Sequence, residues 1–226
     1  VYSSWEEANA SGIAGAAPGE IRYINHHVDL DDSGQPLEIQ EINFDDYVKI
    51  GDPNPDFTYS ISNNFTYKNW DASILFTGQK GGDLFWVDSW QLSGLQKTTN
   101  ILSSSYANSW IAPLYYENGN YIYDESVGNL NSVNHPGAMI ETGSRAISSG
   151  RNIFDGSFVR LKNINVGYNF DLKDGKNMRV YLAGQNLVVW TDYPGYDPEV
   201  RTYTKNPQKR GVDFGTYPGT RSLLLG

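Results

Sequence analysis

The side chains with the most evident chemical potential lie in an acidic stretch near the start of the chain. Asp29-Leu30-Asp31-Asp32-Ser33-Gly34 sets oxygen-bearing side chains at positions 1, 3 and 5 and a glycine at position 6. That is the opening of a calcium loop, in which carboxylates and hydroxyls supply hard oxygen ligands and the glycine permits a sharp turn. Position 12 falls on Gln40, so the bidentate carboxylate that normally completes the shell is missing. Asp29, Asp31 and Ser33 are therefore candidate Ca2+ ligands, with a solvated acidic turn as the alternative. His26, His27 and His135 have no metal-ligand spacing. Adjacent histidines on a strand would point to opposite faces. Carboxylate pairs suited to glycoside hydrolysis arise by chance among so many loop acids, and no flanking signature singles one out. GxSxG, HExxH and Walker motifs do not occur, and a chain without cysteine has no thiolate nucleophile or disulfide. The expectation is a protein that is not an enzyme and has no catalytic residues and, the calcium turn apart, no cofactor.

Aromatic side chains are the second candidate set. Trp86, Trp90, Trp110, Tyr115, Tyr116, Tyr121 and Tyr123 crowd one long connection. Aromatic faces bury large area at low entropic cost, which suits a sugar ring, a protein partner or the packing of the loop itself.

The elements that must position these residues read as strands. Phe57, Tyr59, Ile61, Phe65 and Tyr67 alternate with Thr58, Ser60, Ser62, Asn64 and Thr66, and Asn63 is the one polar interruption. This is period-2 alternation. A short turn at Lys68-Asn69 leads to Trp70, Ala72, Ile74 and Phe76 on one face, with Asp71, Ser73, Thr77 and Gln79 on the other. The pair predicts a hairpin with strands over 57–67 and 70–80. A second hairpin is predicted over 157–171 and 178–190. Ile164, Val166, Tyr168 and Phe170 alternate with polar residues before a turn at Lys173–Lys176. In the return strand Val180 and Leu182 fall on one face and Leu187 and Val189 on the other, which predicts a bulge near Gly184-Gln185-Asn186. A last strand is expected over 220–226.

Composition agrees with β structure. Charged residues are 19% of the 226, aromatics 14%. Residues 1–56 hold 12 acidic and 2 basic residues, a net −10, whereas the remainder nets +1. No basic patch with interleaved aromatics suggests nucleic-acid binding. No apolar run reaches the roughly 18 residues of a membrane helix.

Amphipathic hairpins suit either a soluble sandwich with its apolar face inside, or a membrane barrel with that face toward lipid. Strand lengths near 9–11 residues, aromatics at strand ends, and short turns alternating with long connections favour the barrel.

Five strings sharpen this. Ile50-Gly51-Asp52-Pro53-Asn54-Pro55-Asp56-Phe57-Thr58-Tyr59 resembles the "IGNPNPDFTYG" segment of SusC/RagA-type TonB-dependent outer-membrane transporters. Asp155-Gly156-Ser157-Phe158-Val159-Arg160-Leu161-Lys162-Asn163 is similar to that family's "DGSFLRLKN". Arg179-Val180-Tyr181 through Gly184-Gln185-Asn186-Leu187 resembles "RVYVSGQNL", and Tyr193-Pro194-Gly195-Tyr196-Asp197-Pro198-Glu199 resembles "YSGYDPE". Tyr217-Pro218 before the last strand also fits. The acidic turn resembles a degraded "DLNGDG".

The resemblance implies an all-β, antiparallel transmembrane barrel of about 22 strands closed by a plug, of which residues 1–226 form a C-terminal portion. It implies extracellular loops at 1–55, 82–155 and 191–218, and a location in the outer membrane of a Gram-negative bacterium. The implied function is TonB-dependent import of an oligosaccharide or peptide. The implied partners are a SusD-like surface lipoprotein, outer-membrane lipid, and TonB through an N-terminal region; both that region and the native C-terminus are expected to lie outside this chain. A secreted carbohydrate-binding sandwich, and a barrel with a structural or secretion role, are the alternatives. Arg160 and Lys162 share sequence parity with Ile164 and Val166, which would put them on the outer surface near lipid phosphates unless a bulge turns them inward.

Overall fold

The computed structural model describes residues 1–13, 16–37, 42, 44–92, 100–124, 128, 149–199, 206 and 209–226. Gln40 and His135 lie outside the described residues, as do 93–99 and most of 125–148 within the long connection and 200–205 within the last one. The chain divides into two compact units, Val1–Ile50 with Val87–Asn152, and Gly51–Trp86 with Ile153–Gly226.

The first unit opens with helix α1, Trp5–Asn9. Ser4 caps it by accepting the Glu7 amide, and Glu7 reaches back to the Ser3 amide at 2.8 Å. These reciprocal bonds satisfy donors that a helix start leaves open. Tyr2, Ala8 and Ala16 form a small core with Ile13. Helices α2 (Val87–Leu92) and α3 (Ser103–Ala107) follow later in the unit. Strands β4 (Leu114–Glu117) and β5 (Asn120–Tyr123) form a hairpin turned by Asn118 and Gly119. Both turn residues have positive φ, 49° and 86°. That is the conformation a tight hairpin needs, and Asn-Gly reaches it at least cost.

The second unit is built on a five-stranded antiparallel sheet. Its strands are β1 (Pro55–Tyr67), β2 (Trp70–Gly81), β7 (Phe158–Asp171), β8 (Asn177–Thr191) and β10 (Ser222–Leu225), in that spatial order. Each lies within two residues of its expected bounds. The turns come where alternation stops, with Lys68 at φ 51° and Asp174 and Gly175 at 65° and 68°. The 82–155 and 191–218 connections are not structureless. In this unit they contribute a second sheet of β6 (Ile153–Asp155), β3 (Asp83–Trp86) and β9 (Val212–Asp213). β9 joins β3 in parallel, pairing Phe85 with Val212.

Cross-strand partners project from the same face of a sheet, so the register sorts the side chains. One face carries Ile61, Phe65 and Tyr67 from β1, and Trp70, Ala72, Ile74 and Phe76 from β2. It continues with Val159, Leu161, Ile164, Val166 and Tyr168 from β7, Val180, Leu182, Val188 and Trp190 from β8, and Leu223 and Leu225 from β10. The opposite face carries Ser60, Ser62, Asn64, Asp71, Ser73, Thr77, Asn163, Asn165 and Arg179. The phase slip sits in β7, at Lys162: Phe76 pairs with Leu161 while Leu75 pairs with Asn163. β8 is irregular at Asn186, which takes φ 51°. Val188 and Trp190, not Leu187 and Val189, pair with the apolar residues Leu161 and Val159.

Candidate functional site

Two features of the five-stranded sheet can serve a function: a face that is apolar but for Asn63, and a polar face with charged pairs. The apolar face is open. Val166 is 36% exposed, Leu182 53% and Leu225 78%. Its aromatics gather at both ends of the strands. Toward the short turns, Trp70 meets Tyr168 edge-on with centroids 4.9 Å apart, and Tyr168 meets Phe170 at 4.6 Å. Toward the other end, Phe57 lies 6.0 Å from Tyr59 and Phe76 lies 6.5 Å from Trp190.

Arg160 is not on that face. The slip at Lys162 carries it to the polar one, where it pairs with Thr77 and Val189. Its guanidinium is 3% exposed, donating a hydrogen bond to Asp197 at 2.5 Å and ion-pairing with Glu199, 2.8 Å from its Nε. Lys162 adds a 3.4 Å contact to Glu199. Of the two placements that the sequence left open, the inward one holds for Arg160, because the bulge at Lys162 inverts the parity between it and Ile164.

The residues singled out by resemblance act as fasteners. The Asp52 carboxylate accepts from the Asn54 amide and side chain, and the Asp52 amide donates to Asp83 at 2.8 Å. Asp155 accepts from the Ser157 amide and hydroxyl, while that hydroxyl accepts from the Gly81 amide at 2.9 Å. Both bonds from Ser157, reinforced by the charge on Lys80, hold the Asp155 carboxyl below its usual range. Tyr193 donates to Asp213 at 2.6 Å, with both residues buried. Asp197 accepts from Gly219 as well as from Arg160.

Among the aromatic candidates, Trp86 is 9% exposed and packs edge-on against Phe154 and Tyr193 at 5.8 and 6.1 Å. Trp90 packs against Ile21. Trp110 lies over Gly19, where a Cβ would strike its ring. These three tryptophans pack their own units. On the β4–β5 hairpin the backbone register pairs Tyr116 with Tyr121, Tyr123 with Leu114 and Tyr115 with Ile122.

In the acidic turn, Asp31 Oδ1 accepts from the Ser33 amide, the Ser33 hydroxyl and the Gln35 amide at 2.6–2.9 Å. The Ser33 bond comes first among the causes that lower the Asp31 carboxyl below its ordinary range. Among the described residues, no group of three or more His, Asp or Glu is placed to hold a metal ion. His26 and His27 are not on a strand; their amides donate side by side to Asp46 Oδ1 at 2.7 and 2.8 Å. Among the described residues, no helix is long and apolar enough to cross a membrane.

No family model matches the chain. It is 36% identical over 207 residues to TonB-dependent receptor P3 of Formosa agariphila, covering 88% of this chain and 18% of that protein. It is 27% identical over 238 residues to TonB-dependent receptor P26 of the same organism, covering 100% and 21%. Against TonB-dependent receptor SusC of Bacteroides thetaiotaomicron it is 30% identical over 128 residues, covering 47% and 12%. The chain thus spans about a fifth of the length of the first two. Its fold matches part of the RagAB peptide importer in the open-open state, with TM-score 0.55 and 18% identity over 88% of this chain and 19% of that one. The closed-closed state gives 0.53 and 16% over 87% and 20%.

Proposed function

We propose, from the premise that the chain belongs to the SusC/RagA-type TonB-dependent receptors, that its five-stranded sheet is a sector of an outer-membrane β-barrel. The observation that carries this is the exposed face, apolar but for Asn63, opposite a Ser/Thr/Asn face. The apolar face meets lipid and the polar face lines the lumen. Tyr59 and Tyr67, one from each aromatic cluster's level, are eight residues apart. That is about 26 Å along a strand at about 3.3 Å per residue. Tilted by about 40°, it is roughly 20 Å of height, close to the ~25 Å apolar band of such barrels. A soluble sandwich would cover this face with a second sheet, yet Ile61, Phe65 and Leu182 are each more than half exposed.

On this reading the whole protein imports a nutrient, an oligosaccharide or a peptide, across the outer membrane by TonB coupling, together with a SusD-like surface lipoprotein. Support comes from the relatives: three are TonB-dependent receptors, one of them SusC, and the matched structures are of a peptide importer. The long connections then face outward, and the tyrosines of the β4–β5 hairpin are the proposed contact with partner or ligand. The acidic turn is read as a turn and not as a calcium site, since its central carboxylate already serves three local donors.

The test is expression of the full-length protein with its lipoprotein partner. A detergent-extracted band whose mobility shifts on boiling, and loss of partner recovery when the β4–β5 hairpin is deleted, are expected. A protein that stays soluble without detergent would overturn the barrel; unchanged recovery and uptake after the deletion would overturn the contact.

A further inference from the structure

We infer that Arg160 is a positioning residue that pins the segment 192–199 inward over the polar face, making that segment part of the lumen wall and a limit on the size of what passes. This rests on the barrel reading above and adds a role to a connection otherwise expected to extend outward. Register puts Arg160 on the polar face, between Thr77 and Val189. A guanidinium on an open sheet would be solvated; this one is almost wholly covered, as is Asp197 at 5%. What touches it is the far end of the segment. Asp197 takes a hydrogen bond from one guanidinium nitrogen and Glu199 ion-pairs beside another, and the Glu199 amide also donates to Asp197 at 2.9 Å. Lys162, displaced by the bulge, adds a second cation on Glu199. The near end is held separately by the buried Tyr193–Asp213 bond. Asp197 further takes the Gly219 amide, which ties the approach to β10 into the same node. Two cations against two carboxylates leave the node neutral, so burial does not strand a charge. A planar fork that engages two carboxylates at once is a geometry lysine cannot reproduce.

The experiment uses full-length protein in its native outer membrane. R160K, R160A and E199Q are compared with wild type by amide hydrogen exchange and by sensitivity to vancomycin, a bulky hydrophilic probe that intact outer membranes exclude. Expected are faster exchange across 192–199 with β7 and β8 still protected, and several-fold greater vancomycin sensitivity, largest for R160A and smaller for R160K and E199Q. A structural tie with no bearing on the lumen would speed exchange and leave sensitivity at wild type, which overturns the inference. So would unchanged exchange in all three. If R160A does not assemble, E199Q, which keeps Asp197 on Arg160, decides by the same two readouts. Failure of the wild-type protein to behave as a heat-modifiable barrel would instead overturn the reading beneath.

Discussion

Arg179 on β8 and Asp71 on β2 are joined by two hydrogen bonds, 3.0 and 2.6 Å, that pass over the intervening strand at Gly167. The crossing depends on that glycine, since a Cβ there would run into the guanidinium. Asn165 and Asn169 complete the group by accepting from Arg179 and donating to Asp71. The pair is about one-third exposed and screened by solvent, so Arg179→Ala should lower the midpoint only slightly. Gly167→Val should cost more, because it loses the pair and also crowds the face. Urea midpoints of the refolded barrel measure both; equal midpoints would mean the bridge does not span β7.

The apolar face makes a sharper contrast. Val166→Arg puts a charge into the middle of the proposed lipid face and should cost roughly 2–4 kcal/mol. Ser62→Arg, on the polar face, should be tolerated. Asn165, one residue from Val166, is a poor control because it already accepts from Arg179. The readout is the folded fraction on an unboiled gel.

Trp86 is expected to matter to folding and not to partner capture. It is enclosed with Phe154 and Tyr193. Trp86→Ala should destabilise the three-stranded sheet by about 3–5 kcal/mol, as for other large-to-small core changes. Trp5→Ala, at a residue 64% exposed, should be near neutral. Thermal melts decide this, and a variant that melts normally but loses the lipoprotein would reverse the assignment.

For the acidic turn, chelation should leave amide exchange at Ser33 and Gln35 unchanged. Lowering the pH should not. Asp31's folded-state pKa is depressed, so its contribution is present above the unfolded value, about 3.9, and is lost as pH falls through the folded value. Exchange at those amides, corrected for intrinsic rates, should therefore become less protected only in that acid range. A loss of protection on chelation near neutral pH would restore the calcium reading.

The long strands were legible because alternation over ten or more residues leaves little choice of face, as at Phe57–Tyr67. The phase was harder. An odd–even break was visible near Gly184–Asn186, but the slip that decides which residues face out lies opposite, at Lys162. A lysine in a bulge looks no different in sequence from one in register. Arg160's partner Asp197 lies 37 residues away in a connection without alternation, as does Glu199 just beyond it, so only folding brings them together. The three-stranded sheet was illegible for a similar reason, since strands of two to four residues carry no period. The β4–β5 hairpin had a signal that went unread: Asn118-Gly119 between tyrosine-rich runs is a strong short-range turn mark. In the acidic turn two of the three donors to Asp31 Oδ1 are backbone amides, which no side-chain pattern reports.

If the apolar face of this sheet meets lipid, access from lipid must follow the phase inversion at Lys162. The chain contains no cysteine, so single cysteines at positions 159 to 168, in a full-length protein cleared of any cysteine elsewhere, can carry a spin label after reconstitution. Oxygen, which partitions into lipid, should reach labels at Val159 and Leu161, then at Ile164, Val166 and Tyr168. A water-soluble nickel chelate should favour Asn163, Asn165 and Gly167. An oxygen maximum that moves from odd to even positions across Lys162 is the expected result; one unbroken alternation, or no alternation, would contradict the account.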